Sequence, residues 1–403
     1  MKLVTEPYLL FVCVPITIDP QGCPHTDPLW VKDLALHLEY IEDMALACPV
    51  VHGPPGPGTR PLPLSGPPFD RLKLVPLPAP RGRVAALVAL PQAVATAWRA
   101  IGKARIVHTG FGGWPLNEGW IACPIAKLRG KFLMTNIESS FWRATPGAAW
   151  HRRLRGFLAE TLNRWWVRAA DLRFFTSTGY LREFLPPGAP RAHVNPATWV
   201  DDEWIASPAA AAALWDQKTG PVRLLFAGRL IPQKGVLELL AAARTAGRMG
   251  AELDLTVVGE GPLRDDCLQA SQELAGPVRL SVLEPVSCGL PFFSLIGRQD
   301  AVLVPSLSDE QPRVLFDAMS QAVPVLGSDT GGIREVVAPE ATGRLVPAGD
   351  VEALAAAMVW AAHNRPTLRA LGLRGLEAVR GRTHRAMHQS RGAIIRQALD
   401  GRP

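Results

Sequence analysis

Arg229 and Lys234 lie in the run Gly228-Arg229-Leu230-Ile231-Pro232-Gln233-Lys234-Gly235, directly after an aliphatic stretch and before a helical one. At the carboxyl end of a parallel strand, beside a helix amino terminus, an Arg that forks onto two oxygens and a Lys acting as a mobile point charge can hold a diphosphate. A proline-containing turn with two solvated cations is the other reading of that spacing. Asp309 and Asp317 stand eight residues apart around Glu310-Gln311-Pro312-Arg313-Val314-Leu315-Phe316. With Asp309 in a loop and Asp317 about one turn into a helix, both carboxylates can face one cleft and accept hydrogen bonds from sugar and ribose hydroxyls. The stretch Val257-Val258-Gly259-Glu260-Gly261 supplies Gly-x-Gly, but Arg264 takes the place of a third glycine. The dinucleotide fingerprint therefore fails, which argues against a nicotinamide or flavin enzyme and favours a tight strand-to-helix turn. A later glycine loop, Gly327 to Gly332 ahead of Ile333-Arg334-Glu335, has amides that can approach an anion closely.

The elements that must position these residues alternate. From Val222 onward, short strand signals at Arg223–Ala227, Asp254–Val258, Val278–Val282, Ala301–Pro305 and Val323–Gly327 are separated by helical patterns. Those helices are expected at Val236–Arg248, Leu263–Leu274, Arg313–Gln321 and Ile333–Ala338, the grammar of βαβ units on a parallel sheet. The amino-terminal half repeats it with strands near Tyr8–Pro15, Leu72–Pro76, Arg105–His108, Lys131–Ile137 and Leu172–Thr176. Helices are expected there at Leu29–Leu46, Val84–Ile101 and Ala149–Ala169. Gly53–Pro80, dense in Pro and Gly, reads mainly as surface loop, and Val351–Leu399 reads as two or three helices. The predicted division is an α/β amino-terminal domain over 1–206, a linker over 207–220, a second α/β domain over 221–382 and a last helix over 383–403, placed to pack back on the first domain.

The helix Trp150–Arg168 carries Trp150, Leu154, Leu158, Leu162 and Trp165 on one face, with Arg152, Arg153, Arg155 and Arg164 around it. Two readings stand beside each other: an apolar face packed on the sheet with a solvated basic back, which is favoured, and a basic helix lying on an anionic membrane. Across 403 residues, 43 Lys and Arg against 36 Asp and Glu leave a net charge of +7, with 48% hydrophobic residues. That profile is a folded protein of two or three domains, and the charge suits a membrane-surface or other anionic partner. No nucleic-acid module or dense Lys/Arg stripe is present, so nucleic acid is not an expected partner. The apolar run Tyr8–Ile16 is too short for a membrane span and lacks a cleavage site, so the expected location is the cytoplasm, with the inner face of the membrane as a peripheral site. The six cysteines, Cys13, Cys23, Cys48, Cys123, Cys267 and Cys288, are scattered and without Cys-x-x-Cys, so neither disulfides nor a metal are expected.

The order of motifs is recognisable. Gly-Arg-Leu-x3-Lys-Gly, Val-Gly-Glu-Gly, Pro-Ser-x2-acid-x7-acid-Ala-Met, Pro-Val-x-Gly-Ser-Asp-x-Gly-Gly and Gly343-Arg344-Leu345-Val346-Pro347-Ala348-Gly349-Asp350 together resemble family 4 retaining glycosyltransferases over about Val222 to Ala362. The resemblance implies the GT-B fold, two Rossmann-like α/β/α domains facing a cleft. It implies that Arg229 and Lys234 neutralise the donor diphosphate, that Asp309 meets the donor sugar and that Asp317 holds the ribose. Gly228, Glu260 and Arg313 join that substrate-binding set. His108 resembles an amino-domain histidine near the transferred sugar, with a core histidine as its alternative, and Gly22 in Asp19-Pro20-Gln21-Gly22-Cys23 resembles the glycine loop after the first strand, with a simple turn as its alternative. The departures are two aspartates where the family has glutamates, and Glu310-Gln311-Pro312 where it usually has Gly-Phe-Gly.

The implied activity is transfer of a sugar, with retention and without a metal or other cofactor, from a nucleotide-diphosphate sugar to a hydroxyl of a glycan or lipid-linked glycan, in cell-surface polysaccharide or glycoconjugate biosynthesis. A GT-B epimerase or phosphorylase, and a catalytically silent GT-B binding protein, are the rivals.

Overall fold

A computed structural model describes residues 4–54, 61–112, 117–140, 142–143, 149–274 and 276–401. The chain divides into two compact units, Met1–Pro196 with His388–Pro403, and Ala197–Met387.

The first unit runs β1 (Tyr8–Phe11), β2 (Ile16–Ile18), β3 (Pro24–Thr26), α1 (Pro28–Tyr40), β4 (Met44–His52), β5 (Leu62–Pro63), β6 (Lys73–Leu77), α2 (Arg83–Lys103) and β7 (Ile106–Thr109). It continues with α3 (Glu118–Leu128), β8 (Phe132–Ile137), α4 (Trp150–Ala169), β9 (Leu172–Phe175), α5 (Thr178–Phe184) and β10 (Ala192–Val194). The sheet order is β10-β9-β8-β7-β1-β4-β2-β3-β5, with β6 also paired to β4. From β1 the chain moves out to β4 and β6, then returns through α2 to β7 on the other side, so the strand order reverses between β1 and β7. Alternate strand residues feed two cores. Leu9, Phe11, Val107 and Leu133 pack with Ala97, Ala126 and Val167 of α2, α3 and α4. Tyr8, Leu10, Ile106 and Met134 pack with Leu34 and Leu38 of α1, and with Ile395 and Ala398 near the carboxyl terminus.

The second unit runs α6 (Pro208–Asp216), β11 (Val222–Ala227), α7 (Val236–Arg248), β12 (Leu253–Val258), α8 (Arg264–Glu273), β13 (Val278–Leu283), α9 (Leu290–Gly297) and β14 (Ala301–Val304). It continues with α10 (Val314–Ser320), β15 (Val325–Ser328), α11 (Gly331–Arg334), β16 (Gly343–Val346), α12 (Val351–His363) and α13 (Arg365–Val379), after which α14 (His384–Asp400) follows. Six parallel strands are ordered β13-β12-β11-β14-β15-β16, and the order reverses between β11 and β14. α7 forms because Val236, Leu239, Leu240, Ala243 and Ala246 fall on one face, and these bury against Leu354, Ala355 and Met358 of α12. Each fully buried Leu or Val there contributes roughly 1.5–3 kcal/mol relative to exposure.

Several expectations are corrected. The helix predicted over Leu29–Leu46 ends at Tyr40, and Met44–His52 is a strand parallel to β1, a short apolar run whose periodicity cannot separate helix from buried strand. Within the predicted loop over Gly53–Pro80, β6 takes the place of the strand expected near Leu72–Pro76 and the two-residue β5 is an addition, while residues 55–60 lie outside the described set. The predicted linker over 207–220 contains α6, whose first turn is capped by the Ser207 hydroxyl accepting from Ala210 N, and whose Trp215 indole donates to Ala322 O. The division between units falls after Pro196 instead, while residues from His388 onward belong to the first unit, the place expected for the last helix. No membrane-spanning stretch is expected from the sequence, yet the mean hydropathy of 1.5 in α2 makes that helix long and apolar enough to cross a membrane by length and composition. The favoured packing of Trp150–Arg168 is also overturned. Gly156, Ala159, Asn163, Trp166 and Val167 face inward, while Trp150, Leu154, Leu158, Leu162 and Trp165 are exposed.

Candidate functional site

The site in the second unit is built where its strand order reverses, the place where open parallel sheets bind ligands. After β11 the chain is laced to the loop after β12: Gly228 N donates to Val258 O at 3.0 Å, Leu230 N to Glu260 O at 2.7 Å and Leu263 N to Leu230 O at 3.1 Å. A Cβ on Gly259 would overlap Gly228 O, and one on Gly261 would overlap Leu230 O. These two glycines are therefore required by the close approach of two backbones, the turn reading favoured from their spacing. The chain then makes a 3-10 turn over Pro232–Lys234 and enters α7 through Gly235, which has φ +70° and would clash with Pro305 O if it bore a Cβ. This brings the start of α7 against the end of β14 and places Lys234 there, only 15% exposed.

From the β14 side, Glu310 reaches across and its carboxylate contacts the Lys234 ammonium, while Ser308 Oγ donates to the same Oε1 at 3.2 Å. Asp309 Oδ1 accepts from Gly332 N at 3.1 Å, and a Cβ on Gly332 would overlap Glu310 O, so the loops after β14 and β15 interlock through the glycine pair. Arg313 is exposed with its guanidinium 4.7 Å above the Trp199 ring, which stacks in turn on His384 at 4.7 Å. Asp317 is half-buried in the first turn of α10, and Arg229 and Glu260 are exposed at the ends of β11 and β12. The structure thus brings Lys234 into contact with the Asp309–Arg313 loop and sets Gly228, Arg229 and Glu260 on neighbouring strand ends. The Lys234 to Glu310 pair is absent from the sequence expectations; the only signal for it is an acid where the resembling family has glycine.

His108 and Gly22 belong to the first unit. His108 is 4% exposed on the sheet face covered by α1 and α14, with Nδ1 2.8 Å from the Tyr8 hydroxyl. Burial, with Arg391 and His37 nearby, holds its imidazole well below the usual range, so it is a neutral core histidine. Gly22, at φ +85°, completes the turn between antiparallel β2 and β3, where Asp19 Oδ1 accepts from Gln21 N and Cys23 N. It is a hairpin residue and does not form a loop directly after the first strand.

One carboxyl in this unit escapes a reading of the sequence. Glu118, 7% exposed, opens α3 behind the Asn117 cap, and the amides of Glu118 and Gly112 bond to it. Its Oε2 has no hydrogen-bond partner among the described residues, and burial pushes its pKa up to about 8. A Cβ placed on Gly112 would lie 3.2 Å from Cys13 Sγ and 3.6 Å from Glu118 Oε1, which puts this carboxyl beside the ends of β1 and β7, where the first sheet reverses its order. The Asn-Glu pair at a helix start is the available signal.

Residues 221–364 match the family described as glycosyl transferases group 1. The amylovoran biosynthesis glycosyltransferase AmsK of Erwinia amylovora is 29% identical over 147 residues, 34% of this chain and 35% of that protein. The chain thus spans about a third of the length of the first curated relatives it matches. Sucrose-phosphate synthase from Thermosynechococcus elongatus superposes with a TM-score of 0.71 at 20% identity, covering 98% of this chain and 100% of that one. HepE of Anabaena, solved in complex with UDP-glucose, superposes with a TM-score of 0.67 at 16% identity over the same shares. The chain accordingly has the GT-B fold, and the likeness to the glycosyl transferases group 1 family lies in residues 221–364.

Proposed function

We propose that the protein is a retaining glycosyltransferase that moves a hexosyl group from a nucleotide-diphosphate sugar to a hydroxyl of a glycan or lipid-linked glycan, acting in the cytoplasm or at the inner membrane face. The observation that carries this reading is Lys234 held at the entry to α7, opposite the loop that bears Asp309, at the strand-order reversal of the second sheet. Bond cleavage at the anomeric carbon loads negative charge onto the departing nucleotide diphosphate. Arg229, Lys234 and the first amides of α7 answer that charge, so no metal is required in this mechanism. Asp317 takes the ribose and Asp309, fixed by Gly332 N, takes the sugar. The acceptor oxygen enters on the face from which the diphosphate leaves, which retains the configuration. The name of AmsK supports a role in polysaccharide biosynthesis, and the HepE complex supports a UDP-sugar as first donor to try.

A thermal-shift panel of UDP, GDP, ADP and their sugars tests this, with Arg229→Ala as control. A ligand at about 100 times its Kd stabilises by roughly 2.7 kcal/mol. One nucleotide should stabilise the wild type and not the variant. A second reading, a silent GT-B protein, is favoured by the Glu310 carboxylate already seated on Lys234 and by Pro312, which offers no N–H. Stabilisation by none of the panel would select it.

A further inference from the structure

We infer that α2 and α4 of the first unit form a docking surface for a bilayer rich in anionic phospholipid, a reading that stands independently of the sugar-transfer proposal. Both helices are amphipathic in the inverted sense. α2 turns Ala86, Ala93 and Ala97 inward and leaves Val84, Leu87, Val88, Val94 and Trp98 in water, with Val84 and Val88 each 77% exposed. α4 turns Gly156 and Ala159 inward and presents Trp150, Leu154, Phe157, Leu158, Leu162 and Trp165, with Trp150 75% exposed. Large apolar side chains spaced three and four residues apart along an exposed helix face give a continuous stripe, and two such stripes on one unit are an interaction surface.

Charge identifies the partner. Arg83 at the start of α2 and His151, Arg152 and Arg155 at the start of α4 line one concavity, so the amino-terminal ends of the two stripes share a cationic rim. α2 contains no Asp or Glu, and Glu160, the single acid of α4, is bonded to Arg143 and Arg164. A second copy seated on this rim would bring these cations against each other, whereas phosphate headgroups complement them while the Trp, Leu and Phe side chains enter the acyl boundary. α2 packs against α3 and β6 within its unit, so it lies on the membrane and does not cross it.

The test is co-sedimentation of the full chain, without nucleotide, with phosphatidylcholine vesicles and with vesicles containing about a third phosphatidylglycerol. The wild type should pellet with the anionic vesicles, less so at high salt. The paired variants Leu154→Gln with Phe157→Gln, and Arg152→Glu with Arg155→Glu, should each partition roughly tenfold or more weakly. Because these side chains are exposed, unchanged circular dichroism will show the fold intact. Equal recovery of wild type and the apolar pair, or no preference for anionic vesicles, overturns the inference. A dimer in light scattering that the apolar pair disperses, with no vesicle binding, overturns it in favour of an interface between copies.

Discussion

Lys234 and Glu310 are in direct contact and mostly shielded from water, so a phosphate arriving at Lys234 must compete with a carboxylate already in place. Glu310→Gln is therefore expected to bind UDP or GDP about tenfold more tightly, about 1.4 kcal/mol, and Lys234→Ala to bind more weakly. The double variant should gain nothing over Lys234→Ala; calorimetry that finds Glu310→Gln unchanged would detach Glu310 from ligand binding. The acid is readable in the sequence, but its partner lies 76 residues away and no local pattern joins them. Glu118 offers a second test at this scale. Its native pKa of about 8 stands above the ordinary 4.5, so the native state keeps a proton that the unfolded chain releases. Stability should fall as pH rises from about 4.5 to about 8 and then level off. A tenfold difference in proton affinity between the folded and unfolded chain is worth about 1.4 kcal/mol, so the total is on the order of a few kcal/mol. Glu118→Gln should remove that decline, as urea titrations of both proteins across this window would reveal. His108, by contrast, shows what residue type leaves open: the resemblance offers a site histidine and its strand-end position a core one, and only the structure shows it buried against Tyr8 on the face that α1 covers.

At the level of elements, the parallel alternation of the second unit is legible because its strands are bounded by glycine or proline and α7 has a single wide apolar face, giving Val236–Arg248 without error. α4 is legible in extent and not in orientation. A helix with small residues on one side and large apolar ones on the other can pack by either, and Gly156 and Ala159 win because they let the helix approach the rest of its unit closely. β4 is hidden inside a predicted helix because Met44 to Cys48 is apolar throughout, and the pairing partner that makes it a strand, β1, is distant in sequence. The join between β11 and α7 depends on a backbone conformation that only glycine adopts readily. Gly235→Ala should cost more than about 1 kcal/mol and weaken nucleotide binding together with stability, since the added methyl meets Pro305 O and α7 must shift. Chemical denaturation alongside nucleotide titration would separate this from a purely local effect; full nucleotide affinity in the variant would show that the α7 terminus does not set the site.

For the whole molecule, the GT-B fold and the net charge of +7 are both within reach of the sequence, whereas the boundary between the units, after Pro196 and ahead of the predicted linker, is not. The first unit is assembled from both ends of the chain. Its terminal segment supplies Ile395 and Ala398 to the core, packs Gly392 against the Tyr40 ring and sets His388 Nε2 3.0 Å from Asp33 Oδ1. Truncation after Met387 should therefore leave the first unit open to protease and the second unit resistant; equal resistance of the first unit with and without the segment would contradict this. The same arrangement has a consequence for synthesis. The second unit is one continuous stretch and can close as soon as it clears the ribosome, while the first unit, begun before it, waits for the residues from His388 onward, which follow it. Through all of that interval its unfinished core is available to chaperones, so the unit begun before the second is completed after it.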